Sequence, residues 1–102
     1  SAKLDQLLNE QWALMNDALL QGNHKLASDF IIDYEKESYA EVFYLLLPSI
    51  TSIIQSYSDF QAIKIRSNYA SFILNRDIDG IDRAFIVTYM LDANGVWRLS
   101  GL

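Results

Sequence analysis

The chain has 102 residues, eight basic against thirteen acidic, and a net charge of -5. That balance opposes phosphate backbones and anionic membrane surfaces, and no Lys/Arg cluster relieves it, which argues against nucleic acid as a partner. The absence of cysteine removes disulfide and thiolate chemistry, while 51% hydrophobic residues suffice for a core in a single domain, residues 1–102.

From Lys3 to Gln21, Leu4, Leu8, Trp12, Met15 and Leu19 recur at spacings of three and four. They make one stripe of a helix that turns about 100° per residue. Leu7, Leu14 and Ala18 widen the stripe. Gly22 is a natural stop, and Asn23 can cap a short second helix carrying Leu26, Ala27, Phe30 and Ile31. A third helix is expected from Glu35 to Leu46, with Tyr39, Val42, Phe43 and Leu46 inward. Pro48 cannot continue it, because its ring clashes with the previous turn. Pro48 can open a fourth, from Ser49 to Tyr57, on Ile50, Ile53, Ile54 and Tyr57.

The apolar period then drops from about 3.6 to 2, which predicts strands at Phe60–Ile65, Tyr69–Arg76, Arg83–Leu91 and Val96–Leu99. Asp79-Gly80 and Asn94-Gly95 accept positive φ and close hairpins. Helices first and an antiparallel meander of four strands after them predict an α+β domain. No apolar run approaches the roughly 20 residues of a membrane-spanning helix, so this segment is not expected to insert.

The third strand has two apolar faces. Ala84, Ile86 and Met90 share one; Phe85, Val87, Tyr89 and Leu91 share the other. Helices can cover one face only. Either a partner covers the second, as a second copy or a neighbouring domain, or strong curvature wraps the helices over more of the sheet.

Four stretches in order carry a family resemblance. They are W-x-x-M-x-x-A-L-x-x-G-N (Trp12 to Asn23), A-x-x-F (Ala27 to Phe30), Y-A-E-V-F (Tyr39 to Phe43) and D-A-N-G-V-W-R-L (Asp92 to Leu99). Together they resemble the nuclear transport factor 2-like domains, also called the cystatin-like cone, over essentially the whole chain. The resemblance looks closest to small bacterial members in exported or lipoprotein-like polypeptides, so an exported or periplasmic location is expected. It implies helices packed into a strongly bent antiparallel sheet that ends on a hairpin, with Trp97 or Leu99 plugging sheet against helices. The superfamily hosts isomerases, dehydratases, polyketide cyclases, transport adaptors and purely associative domains, so function has to come from a site.

Enzymatic members of that superfamily place an Asp/His pair, or an Asp with a Tyr, inside the cone. The single histidine, His24, follows Gly22-Asn23 at a helix start, where a rim position is expected. Asp77, Asp79, Asp82 and Asp92 flank turns, where Asp bonds its own backbone, and no acidic residue falls inside a predicted strand of the second half. D-I-D-G-I-D (Asp77 to Asp82) lacks the spacing and closing Glu of a calcium loop. No catalytic residue, metal ligand or cofactor site is assigned.

The aromatics remain. Most are expected in the core, but Trp12, Tyr39, Phe43, Tyr57 and Tyr89, with Arg76, are candidates to line a ligand pocket. Phe85, Val87 and Leu91 are candidates for an interface on the outer sheet face. The favoured function is non-catalytic association, as a homodimer or against a neighbouring domain, through that face. The alternative is binding of a small apolar ligand in the cone. An enzyme that recruits Arg76, Tyr89 or His24 ranks third.

Overall fold

A computed structural model describes Ser1–Leu102. Four helices come first: α1 (Ala2–Leu20), α2 (His24–Ser28), α3 (Asp33–Leu46) and α4 (Ile50–Gln55), with a 3-10 turn at Leu47–Ser49 before α4. Four strands follow: β1 (Tyr57–Ile65), β2 (Tyr69–Ile78), β3 (Ile81–Leu91) and β4 (Trp97–Gly101). They form one antiparallel meander in the order β1-β2-β3-β4. The sheet is curled but not closed, and the fold is α+β. Register shifts in β1, between Tyr57 and Asp59 and between Ala62 and Lys64, bend that edge.

Local chemistry sets the helix ends. The Ser1 hydroxyl accepts from the Leu4 N–H at 3.2 Å and caps α1. At the other end Gly22 adopts φ 76°, which lets its N–H reach Leu19 O at 3.0 Å and the Asn23 N–H reach Ala18 O at 2.9 Å. This paired closure needs a residue without a Cβ penalty in the left-handed region. The Asn23 side chain then accepts from the Leu26 N–H at 3.1 Å and starts α2.

The fourth helix is shorter than its apolar spacing predicts. It ends at Gln55, and Tyr57 opens β1 opposite Arg76. Sheet pairing overrides the helical period here. The Asp77 N–H donates to Ser56 O at 2.8 Å, so the ladder already holds the chain where another helical turn would begin. The β2–β3 turn is tighter than expected. Ile78 pairs with Ile81, leaving only Asp79 (φ 54°) and Gly80 (φ 79°) between the strands. Positive φ at both positions matches the right-handed twist of the flanking strands. Asp77 and Asp82 are therefore strand residues facing each other across the ladder, and Asp59 lies within β1.

The core lies between α1 and the concave sheet face. Leu8, Met15 and Leu19 meet Ala70, Phe72, Leu74, Val87, Tyr89 and Leu99, all nearly inaccessible to solvent. Burying a side chain the size of Phe72 contributes roughly 1.5–3 kcal/mol. The segment between α2 and α3 shields the free edge of β4: Ile32 N–H donates to Leu99 O at 2.9 Å, and Leu99 N–H to Phe30 O at 2.8 Å.

This packing decides the faces of β3. Val87 and Tyr89 are fully buried against the helices, and Phe85 and Leu91 share their parity. The interface assigned to Phe85, Val87 and Leu91 on the outer face is thus corrected: these residues share the face turned towards the helices, where Val87 is fully buried and Phe85 stays 37% exposed. The outer face carries Ile86, 54% exposed, and Met90, 39% exposed, paired across the ladder with Ile73 and Tyr69. Alternation alone could not tell the faces apart, because both are apolar. No helix is long and apolar enough to cross a membrane.

Candidate functional site: an apolar cavity beside Arg76

A cavity of about 310 Å³ opens between α1, α3, α4 and the start of the β1–β2 ladder. α1 contributes Trp12, Met15, Asn16 and Leu19, a run at i, i+3, i+4 and i+7 on one helix face. α3 contributes Tyr39, Val42, Phe43 and Leu46, and α4 contributes Ile50 and Ile53. Tyr57, Arg76 and Leu102 complete the wall. Eleven of the thirteen lining residues are hydrophobic; Asn16 and Arg76 are the other two.

The structure brings five of the six candidate pocket residues to this cavity: Trp12, Tyr39, Phe43, Tyr57 and Arg76. Tyr89 is a correction. It pairs across the ladder with Ala70, whose small side chain leaves room for the ring inside the core, and it is wholly buried. Its hydroxyl has no hydrogen-bond partner, and burial pushes its ionisation well above the usual tyrosine range.

One end of the cavity is built on aromatic stacking. Trp12 lies on Phe60, and Phe60 lies on Phe72 with centroids 4.6 Å apart and planes 2° from parallel. Tyr57 sits 5.9 Å from Trp12 at a 32° tilt. α3 forms the facing side, and Phe43 is its one fully buried side chain.

Arg76 is held from behind. Its Nε donates to Ser56 Oγ at 2.8 Å, and the Ser56 hydroxyl in turn donates to the Ile53 carbonyl. The guanidinium carbon stands 5.8 Å from the Tyr57 ring centre and 5.9 Å from that of Phe85. Burial pushes the Tyr57 phenol up, and the Arg76 charge partly opposes that shift. No carboxylate pairs with Arg76. The two ion pairs of the molecule, Lys36–Asp29 and Arg98–Asp92, lie elsewhere.

Asn16 is the other polar residue of the wall. Its Nδ2 donates to the Trp12 carbonyl at 2.9 Å, while its Oδ1 is buried without a partner. Asn16 is not among the aromatic candidates, but as a polar residue inside the stripe Trp12-Met15-Leu19 it is a signal the sequence carries.

The remaining candidates lie elsewhere. The His24 ring sits 5.1 Å from the Tyr44 ring at 60°, outside the cavity. No Asp, Glu or His lines the wall. A second, shallow hollow runs between Ile32, Asp33, Tyr34 and the Leu91–Asn94 turn. There the Asp92 carboxylate accepts from the Val96 and Asn94 N–H groups, at 2.9 Å each, and from Arg98 Nε at 3.5 Å. These bonds, the Val96 one foremost, hold its carboxyl below the usual range, and they tie the hairpin to itself.

Compared with known proteins, the chain matches no protein-family model and no curated sequence.

Proposed function

We propose that this chain is a nuclear transport factor 2-like domain that holds a small, mainly apolar molecule in the cavity beside Arg76. The observation that carries the reading is the lining itself: eleven hydrophobic side chains with two polar ones in a hollow of about 310 Å³. Small-molecule sites commonly combine these features, in volumes of about 300–1,000 Å³. Enzymatic use of the cavity draws no support from a wall without an Asp, Glu or His side chain.

The test uses a neutral apolar fluorophore, N-phenyl-1-naphthylamine. One molecule should bind saturably per chain and quench Trp12. Ile53→Phe fills the cavity with apolar volume and should weaken binding about tenfold while the chain stays folded. Absence of saturable binding by the unaltered chain would overturn the reading.

A second reading is association through the outer sheet face, with another copy or a neighbouring domain. It rests on a different observation, the exposed Ile86 and Met90 beside Ile73 and Tyr69. Sedimentation equilibrium should then show a dimer that Ile86→Lys dissociates. A monomer at high concentration would remove the self-association form.

A further inference from the structure

We infer that the molecule held in the cavity is an apolar carboxylic acid, its body among the hydrophobic side chains and its carboxylate on the guanidinium of Arg76; this rests on the cavity being a binding site.

Arg76 carries an uncompensated charge. Acidic residues outnumber basic ones thirteen to eight, yet Arg76 has no carboxylate partner. A half-buried guanidinium beside apolar surface is costly to leave unpaired, because low dielectric strengthens the interaction it lacks.

The register adds a second charge. Arg76 stands directly opposite Arg83 in the β2–β3 ladder, so both belong to the same sheet face. Like charges directly opposite each other destabilise a sheet. Arg83 also has no acidic partner. An anion beside the pair would relieve the repulsion and satisfy Arg76 together.

The orientation of Arg76 selects the anion's shape. Ser56 occupies the Nε donor, and the terminal nitrogens donate to nothing in the protein. Their N–H groups form a planar fork that fits two coplanar carboxylate oxygens. The guanidinium carbon also lies 5.8 Å from the Tyr57 ring centre and 5.9 Å from that of Phe85, so aromatic rings rather than carboxylates are its neighbours. An apolar body joined to a planar monoanion matches the wall and the fork at once.

Decanoate, decanol and decylamine share a chain and differ in the head group. Calorimetric titration at about pH 8, where the acid is ionised, should rank decanoate first, by about tenfold over decanol. Arg76→Gln should abolish that preference, so that decanoate and decanol bind the variant equally, with Arg76→Lys intermediate. Should Arg76→Gln fail to fold, exposed Arg83 offers the same test: Arg83→Gln should weaken decanoate about threefold and spare decanol. Equal binding of decanoate and decanol, tighter binding of decylamine, or a preference that survives the arginine substitutions would overturn the inference and leave the cavity reading standing. If none of the three binds, the cavity reading falls, and this inference with it.

Discussion

The Trp12 indole lies flat on the Phe60 ring, their centroids 4.7 Å apart and their planes 7° from parallel. The contact joins the middle of α1 to the edge strand β1 and closes one end of the cavity. Trp12→Ala should therefore cost about 3–5 kcal/mol, the usual range for deleting a buried aromatic. Urea unfolding followed by far-ultraviolet circular dichroism reads the loss. The same variant should lose saturable binding of the fluorophore under conditions where it stays folded.

Tyr89→Phe should be neutral or stabilising, by up to about 1 kcal/mol, because the hydroxyl is buried without a partner and its removal leaves no polar atom stranded. The pH dependence has a definite sign. Burial raises the folded ionisation of Tyr89, so the unfolded chain loses this proton first as pH rises. The contribution is intact below the ordinary tyrosine value of about 10 and declines above it. The substituted chain should resist alkaline unfolding better than its parent, as followed by circular dichroism.

Val87→Lys and Ile86→Lys, one residue apart, should behave oppositely. Val87 is wholly buried, and a lysine there should cost about 3 kcal/mol or more. Ile86 is 54% exposed on the outer face, and its lysine variant should unfold within about 0.5 kcal/mol of the parent. Thermal melts of the two proteins decide it. Equal destabilisation would contradict the register.

Gly80→Ala should cost about 1 kcal/mol, since its φ of 79° lies where a Cβ is strained although no neighbour crowds the site. Amide exchange across Ile78–Ile81 should quicken first.

At acid pH the β3–β4 turn should loosen. The Asp92 carboxyl is held below the usual range, so its stabilisation is present above the ordinary aspartate value of about 4 and is lost as pH falls through the depressed one. Amide exchange at Val96 and Asn94 over that window checks this, and Asp92→Ala should show the faster exchange already at neutral pH.

How much of this was legible beforehand differs by residue. Gly22, Asn23, Asp79-Gly80 and Asn94-Gly95 act through their own backbone preferences and neighbours within five residues, so their roles could be read along the chain. Tyr57 misled, because Ile50, Ile53, Ile54 and Tyr57 keep a helical spacing even though the last belongs to a strand. Its partner, Arg76, lies nineteen positions away, and pairing at that separation leaves no local mark.

The candidate site divides the same way. Trp12, Tyr39, Phe43, Tyr57 and Arg76 were legible as side chains able to line a pocket, whereas Asn16 was hidden inside an apolar stripe. Tyr89 looked equivalent to Tyr57, but the space above Ala70 took its ring into the core.

The sequence by itself determined the helices-then-strands order, the turn positions and the apolar stripe of α1, because caps, turn-forming dipeptides and periodicity act over a few residues. Only the tertiary structure decided which face of β3 is inward, where α4 gives way to β1, and that two arginines share a sheet face without a carboxylate partner. Those outcomes depend on burial and cross-strand register, and in β3, where both faces are apolar, they are set by what packs against the strand rather than by the strand's own pattern.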